Sequence, residues 1–397
     1  MSINISVSGM KANTDKLSTI SQNIANSATA GFKTARSEFG SIHNGGQPGG
    51  VEVLRTSQNF DQDGNKEYTG RPLDMAISNK GFFIVEDSAG QARYTRDGKF
   101  GTDNENFIVN AAGNKLQGYG IDNNGVVQTG NLTDLQIGNA SIPAQASTVL
   151  NFTSNFKADA PTIPAVPAFD PTDAATFNSS YSSELYDSLG NTHTLTQYMV
   201  KNAPNDWTVN YEVDGTPVGN QNVTFDANGE LTAPAAPVNL TFAPAGGAAP
   251  MNFDVDMAGT TQYSGEFSTS ENSTDGYASG DLAGLDVTDD GAIIANYTNG
   301  RSLVQGQLAL ASFANEQGLA QTNNTAWIQT FESGTPVTGT PGSGVLGTVT
   351  SGAYEQSNVD TTDQLVGLMA AQRNYSSNVK AMTTKNDMDT NLLQSIR

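Results

Sequence analysis

Helical periodicity occurs at the two ends of this chain and nowhere between them, and that placement limits what the chain can fold into more than any other feature. From Ile3, positions spaced alternately by four and three residues read Ile3, Val7, Met10, Thr14, Leu17, Ser21, Ile24 and Ala28, with Ile20 assigned to the same seam. This is a heptad stripe with two polar interruptions. Gly31 follows as an expected C-terminal stop. At the other end Asp360 and Asp363 fit a helix cap and a first-turn acid. The second stripe reads Leu365, Leu368, Gln372, Tyr375, Val379, Met382, Asn386, Asp389, Leu393 and Ile396. Such helices would be roughly 40 and 50 Å long. Their stripes are narrower than the face of a helix docked on a core, which predicts a coiled coil between the two ends, extended by neighbouring copies. The plainer alternative is two helices packed on the domains between them.

Those domains read as β-structure. Gly81-Phe82-Phe83-Ile84-Val85 and Val304–Phe313 are strand candidates, and Asp97-Gly98 and Ala112-Gly113-Asn114 are hairpin signals. Residues 145–285 differ in composition from their flanks. They hold sixteen acidic residues against Lys157 and Lys201, and ten of the fifteen prolines. Such a shift marks a separate domain in a well-hydrated place. Its runs Thr192–Val200, Trp207–Val213, Val223–Phe225 and Val238–Phe242 alternate or are β-branched. The expected fold is therefore mainly β with α-helical termini. Residues 1–31 and 359–397 form the helices, 32–70 a linker, 71–144 and 286–358 a split middle β-domain, and 145–285 an outer β-domain inserted into it.

Charge and chemistry narrow the function. A net charge of -21 opposes binding to nucleic acid or an anionic membrane surface. The absence of cysteine excludes disulfides and thiolate metal sites. Gly342-Ser-Gly344-Val-Leu-Gly347 matches a phosphate-binding fingerprint, but leads into no helix. Asp61, Asp63, Asn65 and Glu67 are spaced like the start of a calcium loop, whose closing acid is replaced by Pro72. His43 and His193 are the only histidines and sit in loop and strand contexts, so no nucleophile–base arrangement is supported. No cofactor and no catalytic residue is expected.

Several segments carry a resemblance. Ser21-Gln-Asn-Ile-Ala-Asn-Ser-Ala-Thr-Ala-Gly31-Phe-Lys33, Leu73-Asp-Met-Ala-Ile-Ser-Asn-Lys-Gly81-Phe-Phe83 and Tyr94-Thr-Arg-Asp-Gly98-Lys-Phe100 are similar to motifs of the bacterial flagellar rod and hook family of axial proteins. So are Gly113-Asn-Lys-Leu-Gln-Gly118-Tyr119, Ser357-Asn-Val-Asp360 and Ala371-Gln-Arg-Asn-Tyr375-Ser-Ser-Asn-Val-Lys-Ala381-Met382. The length, the single β-rich insertion and Leu185-Tyr-Asp187-Ser-Leu-Gly190-Asn-Thr-His193-Thr-Leu195 with Asp206-Trp207 point to the hook branch.

The resemblance implies an extracellular subunit that self-assembles helically into a curved, flexible tube. Export would use the flagellar type III apparatus without a cleaved signal peptide, and Met1–Ile5 shows no charged, then apolar, leader. Implied partners are further copies of the chain, the distal rod protein, the hook assembly cap and the hook–filament junction protein. The residues expected to carry assembly are Val7, Met10, Leu17, Ile20, Ile24, Leu365, Leu368, Tyr375, Val379, Met382, Leu393 and Ile396. Other readings are a rod or junction subunit of the same family, a secreted adhesin, or a carbohydrate-active enzyme using paired carboxylates.

Overall fold

Among the described residues, α-helix forms only at the two ends, as the periodicity predicts: α1 spans Ile3–Ala25 and α2 spans Thr361–Ser395. The computed structural model describes residues 3–44, 47–122, 125–138 and 141–395. Asp360 caps α2, its Oδ1 accepting from the amides of Thr362 (2.8 Å) and Asp363 (3.2 Å). The first helix stops at Ala25, earlier than the expected stop at Gly31. Asn26 Nδ2 donates to the Gln22 carbonyl and Ser27 Oγ to that of Ile24, each at 2.9 Å, so short polar side chains take the last helical acceptors. Gly31 serves another purpose. It holds a φ of 65°, and a Cβ there would lie 2.4 Å from the Asp97 amide nitrogen.

Residues 32–70 do more than link. Strands β1 (Ala35–Asn44) and β2 (Gln47–Gln58) form a long antiparallel hairpin. It packs on α1, where Thr19 Oγ1 meets Ser37 Oγ at 2.8 Å and Ser8 Oγ accepts from the Val51 amide at 3.2 Å. The register shifts at Glu38/Phe39 and again at Ile42/His43. Each irregularity moves the alternation to the opposite face, which hides a strand period from the sequence.

The chain divides into two units: residues 1–138, 284–296 and 302–397 in the first, 139–283 and 297–301 in the second. In the first, strands from both halves of the chain interleave. Phe82–Glu86 pairs with Ala92–Thr95 and Lys115–Tyr119, and also with Leu310–Ser312. Ala326–Ile328 pairs with Ala92–Thr95, and Met75–Ile77 with Val349–Ser351. The core joins Phe60, Phe82, Tyr94, Phe313 and Trp327 through edge-to-face contacts at centroid separations of 4.8–6.1 Å.

The second unit is a β-sandwich. One sheet is a five-stranded meander in chain order from Ser179–Tyr186 to Leu231–Ala233. The other centres on Val149–Lys157, paired with Met251–Asp256, Thr261–Tyr263 and Ser268–Thr274. Alternate residues enter one core: Leu150, Phe152 and Phe156 from one sheet, Leu195, Met199, Trp207, Val209 and Val223 from the other. Gln197 is also fully buried on that face, and neither atom of its amide has a hydrogen-bond partner in the protein. An unpaired buried amide costs about 1–3 kcal/mol. Gln197→Met keeps the shape and removes that penalty, so it is expected to raise the urea midpoint of the second unit. A lowered midpoint would show that the amide is satisfied in solution.

His193 stands between two carboxylates, with Nδ1 2.7 Å from Asp214 and Nε2 3.3 Å from Asp187. Burial opposes its charge, but the hydrogen bonds to Asp214 and Asp187 outweigh it and raise its pKa. Stability from this group is therefore full below the unfolded pKa of about 6.5 and is lost as pH rises through the folded value. Against burial, hydrogen bonds from Asn191, Leu189 and His193 hold Asp187 down at about 2, a contribution lost only in strong acid. The second unit is expected to melt lower at pH 9 than at pH 6, and His193→Gln to flatten that difference. An unchanged pH profile in the variant would remove His193 from the account. Both ring nitrogens face carboxylates, so neither is placed to activate a nucleophile.

Candidate assembly interface

The helix pair runs antiparallel in one register. Asn23 Nδ2 donates to Gln364 Oε1 at 3.0 Å, a Cβ on Gly367 would lie 3.4 Å from Ile20 Cδ1, and a Cβ on Gly9 would lie 3.0 Å from the Asn378 amide. Small residues permit this approach: Gly9 and Ala12 on α1, Gly367 and Ala371 on α2, with Ala12 and Ala371 buried. Close packing is what fixes a helix pair in one register.

The expected seam residues divide by position. Ile20 is buried, and Met10, Leu17, Ile24, Leu368, Val379 and Met382 are half-buried. Val7, Leu365, Tyr375 and Leu393 are exposed, Leu393 at 69%. Ile396 lies outside the described residues. The contact line on α2 therefore runs through Gly367, Ala371 and Asn378, to one side of the stripe of large apolar residues. Sequence reasoning followed the large side chains and missed the small ones, because glycine and alanine carry little hydropathy signal. What the helix pair leaves open is apolar. Leu365, Val366 and Met369 share one face of α2 by their spacing of three and four, and are 51–60% exposed. Toward its end α2 runs past the start of α1, and there Met388, Leu392 and Leu393 are exposed as well.

A buried ionic clasp holds the base of the pair. Lys33 Nζ lies 2.7 Å from Glu355 and 3.8 Å from Asp63, and Arg96 lies 3.2 Å from Glu355 and 3.3 Å from Asp63. Lys33, Arg96 and Glu355 are almost wholly shielded from solvent. Burial, then the neighbouring Arg96, pulls the Lys33 pKa down, and Glu355 opposes this. Most of the other donors and acceptors are also used, although the buried Arg96 Nε has no partner in the protein. Lys33 donates to the Gln62 carbonyl at 2.9 Å, Arg96 to the Asn79 carbonyl at 2.6 Å, and the Gly64 amide to Glu355 at 2.8 Å. Asn358, next to the start of α2, accepts from the Thr34 amide at 2.7 Å and donates to the carbonyls of Asn59 and Gln62 at 2.9 Å. The chain leaving α1 and the chain entering α2 are thus tied to each other and to the β-strands.

Sequence reasoning missed this clasp. Its signal was present in the motifs themselves, since Lys33, Arg96 and Asn358 each belong to a quoted segment. The Asp61–Glu67 run belongs here too. Asp63 accepts from Arg96 and from the Asn79 amide, and Glu67 from Tyr354 and Gln356, so protein donors occupy these oxygens. The Gly342–Gly347 run closes on itself as a loop, with the Gly342 amide donating to the Gly347 carbonyl at 2.9 Å.

Comparisons with known proteins cover the whole chain. Family models match for the flagella basal body rod protein over residues 3–33 and the flagellar hook protein FlgE/F/G D1 domain over 76–152. The flagellar basal body protein FlaE D2 domain matches over 151–277, and the flagellar basal body rod FlgEFG protein C-terminal over 350–395. The flagellar hook protein FlgE of Escherichia coli K12 is 36% identical, with all of both chains covered. That of Rhizobium meliloti is 34% identical over 96% of this chain and 95% of its own. In fold, the Helicobacter pylori flagellar hook protein FlgE2 is similar, with a TM-score of 0.56 and 15% identity over 71% of this chain and 98% of that one. With helices at both ends, a β-domain shared between the two halves of the chain and relatives matching from end to end, this chain belongs to the flagellar hook protein FlgE family.

Proposed function

We propose that copies of this structural hook subunit join helically through α1 and α2 into a curved tube that passes torque from the basal-body rod to the filament. The observation that carries this reading is the apolar surface left open on α2 at Leu365, Val366, Met369, Met388, Leu392 and Leu393. Exposed apolar side chains grouped in this way, one group near the start of α2 and one near its end, mark interaction sites rather than a solvated helix. The contacts are heterologous, so they repeat along a helix without closing. The expected seam residues Val7, Leu17, Leu368, Tyr375, Val379 and Met382 act within and around this helix pair. No catalytic role is assigned.

Bending needs contacts near the outside of the tube that are wet and able to slide. The acidic residues 145–285, with sixteen carboxylates against two lysines, suit that outer position. Residues 71–144 and 286–358 form the layer within it, and residues 1–31 and 359–397 line the centre. The chain works in the flagellum, exported through its type III apparatus. Its neighbours at the ends of the tube are the distal rod protein, the assembly cap and the hook–filament junction protein.

The test compares the full chain with one trimmed to residues 32–358, by sedimentation and electron microscopy under conditions that favour polymer. The cut keeps Lys33, Asp63, Arg96, Glu355 and Asn358, so the trimmed chain is expected to fold. Tubes from the full chain and monomer from the trimmed one are expected. Tubes from both would transfer assembly to the β-domains and overturn the role given to the helices.

A further inference from the structure

We infer that Phe331 of one copy seats in a groove at the base of the helix pair of a second copy of this chain. The inference rests on the assembly reading above and names a contact within it. Phe331 is 102% exposed, more than any other large apolar residue described. A lone exposed apolar residue is ordinary, but this ring stands on a loop whose backbone is pinned on both sides. Thr330 Oγ1 donates to the Gly318 carbonyl at 2.6 Å and accepts from the amides of Glu332 (3.1 Å) and Ser333 (3.3 Å). Ser333 is fully buried, and its Oγ accepts from the Thr330 amide at 2.9 Å. Asn315 Nδ2 donates to the Glu332 carbonyl at 3.0 Å. The backbones are also in close contact: a Cβ on Gly318 would lie 2.5 Å from the Glu332 carbonyl carbon. With the backbone beneath it fixed, only the torsions of the ring itself are left to order on docking, which suits an interface anchor.

The same unit carries a receptor of matching chemistry. A groove of about 440 Å³ lies between α1, the start of β1 and the start of α2. Its apolar lining is Ile20, Ala35 and Gly367, and Lys16, Arg36 and Asp363 bring charge to it. Arg36 is 80% exposed; its Nε donates to Ser57 Oγ at 3.2 Å and one amino group reaches Glu38 at 3.4 Å, leaving further donors free. Counting Glu38, which Arg36 shares with Arg55, three cations stand against two anions, so the groove stays locally positive on a chain of net charge -21. Beside Phe331, the exposed Glu332 supplies the complementary carboxylate. Such pairing sets register and partner choice. The ring is fully exposed, so it does not fill the groove of its own chain. A knob and a hole that stay unmatched on one chain are the elements of a contact that repeats without closing.

The chain contains no cysteine, so an engineered disulfide reads this contact against no background. A disulfide needs Cα atoms about 4.4–6.8 Å apart. The Glu332→Cys/Arg36→Cys double variant, assembled into tubes and mildly oxidised, is expected to give a ladder of linked chains on a non-reducing gel. Neither single variant, nor the double variant kept dilute, should give one. Phe331→Ala is expected to raise the chain concentration needed for tubes at least tenfold. Each of the charge reversals Glu332→Arg and Arg36→Glu should weaken assembly, and their combination should restore it. Tubes without a ladder, together with a Phe331→Ala variant that assembles like the unaltered chain, would overturn the contact and leave assembly through the helices standing. Absence of tubes from the unaltered chain would overturn the assembly reading, and this contact with it.

Discussion

Replacing Glu355 by alanine is expected to destabilise the first unit by about 3–5 kcal/mol, the usual effect of removing one partner from a buried ion pair. The size follows from what remains. Lys33 and Arg96 are both shielded from water and both use Glu355, at 2.7 and 3.2 Å. Without it, two cations face each other with Asp63 as the carboxylate left within 4 Å, at 3.8 and 3.3 Å and partly open to solvent, while Glu316 acts on them from farther away. The Gly64 amide also loses its acceptor. Glu355→Gln keeps the shape and an acceptor oxygen while removing the charge, and should fall between wild type and Glu355→Ala. Urea unfolding of the chain trimmed to residues 32–358 measures both. A loss below about 1 kcal/mol in Glu355→Ala would mean that water reaches the clasp and screens it, as at an exposed pair.

The same substitution should act on assembly. The Gly31 amide donates to the Glu355 carbonyl at 2.8 Å, and Asn358 holds Thr34, so both helices leave the β-strands from one small region. Loosening that region lets α1 and α2 enter the polymer at variable angles. The clasp is thus a stability element in the monomer and a positioning element for the helices.

Much of the fold is legible in the residues alone. A 3.6-residue period at the ends and a two-residue period between them identify the element types, and Asp360 marks its helix start by side-chain chemistry that acts locally. The clasp and the hairpin are harder to read, for separate reasons. Lys33, Asp63, Arg96 and Glu355 are charged residues far apart in sequence, and charged residues are ordinarily exposed. Their burial follows from long-range strand pairing, such as that of Lys66 with Glu355. In the hairpin, register shifts at Glu38/Phe39 and Ile42/His43 break the alternation that would have revealed it. On α1 the expected seam includes the buried Ile20. On α2 the helix contact runs through Gly367 and Ala371, small residues that hydropathy undervalues. The large residues Leu365 and Leu393 stay exposed.

That division makes a sharp prediction. Leu365→Asp combined with Met369→Asp is expected to leave the monomer intact and abolish tubes. Both side chains are half or more exposed, at 51% and 60%, and the contact line through Gly367 and Ala371 lies on another side of α2. Surface changes of this kind usually alter stability by no more than about 0.5 kcal/mol, so the urea midpoint and helical signal should match wild type. In a polymer that covers this face the same carboxylates would be desolvated without partners, at a cost of several kcal/mol per contact. Repeated at every subunit, that cost exceeds what a helical assembly can absorb. Lost tubes with an unchanged monomer would place the α2 face in the subunit contact. If tubes persist, this face looks into solvent in the assembled state as well, and the apolar residues of β1 and β2, Phe39 and Leu54, both exposed in the single chain, become the surface through which copies meet.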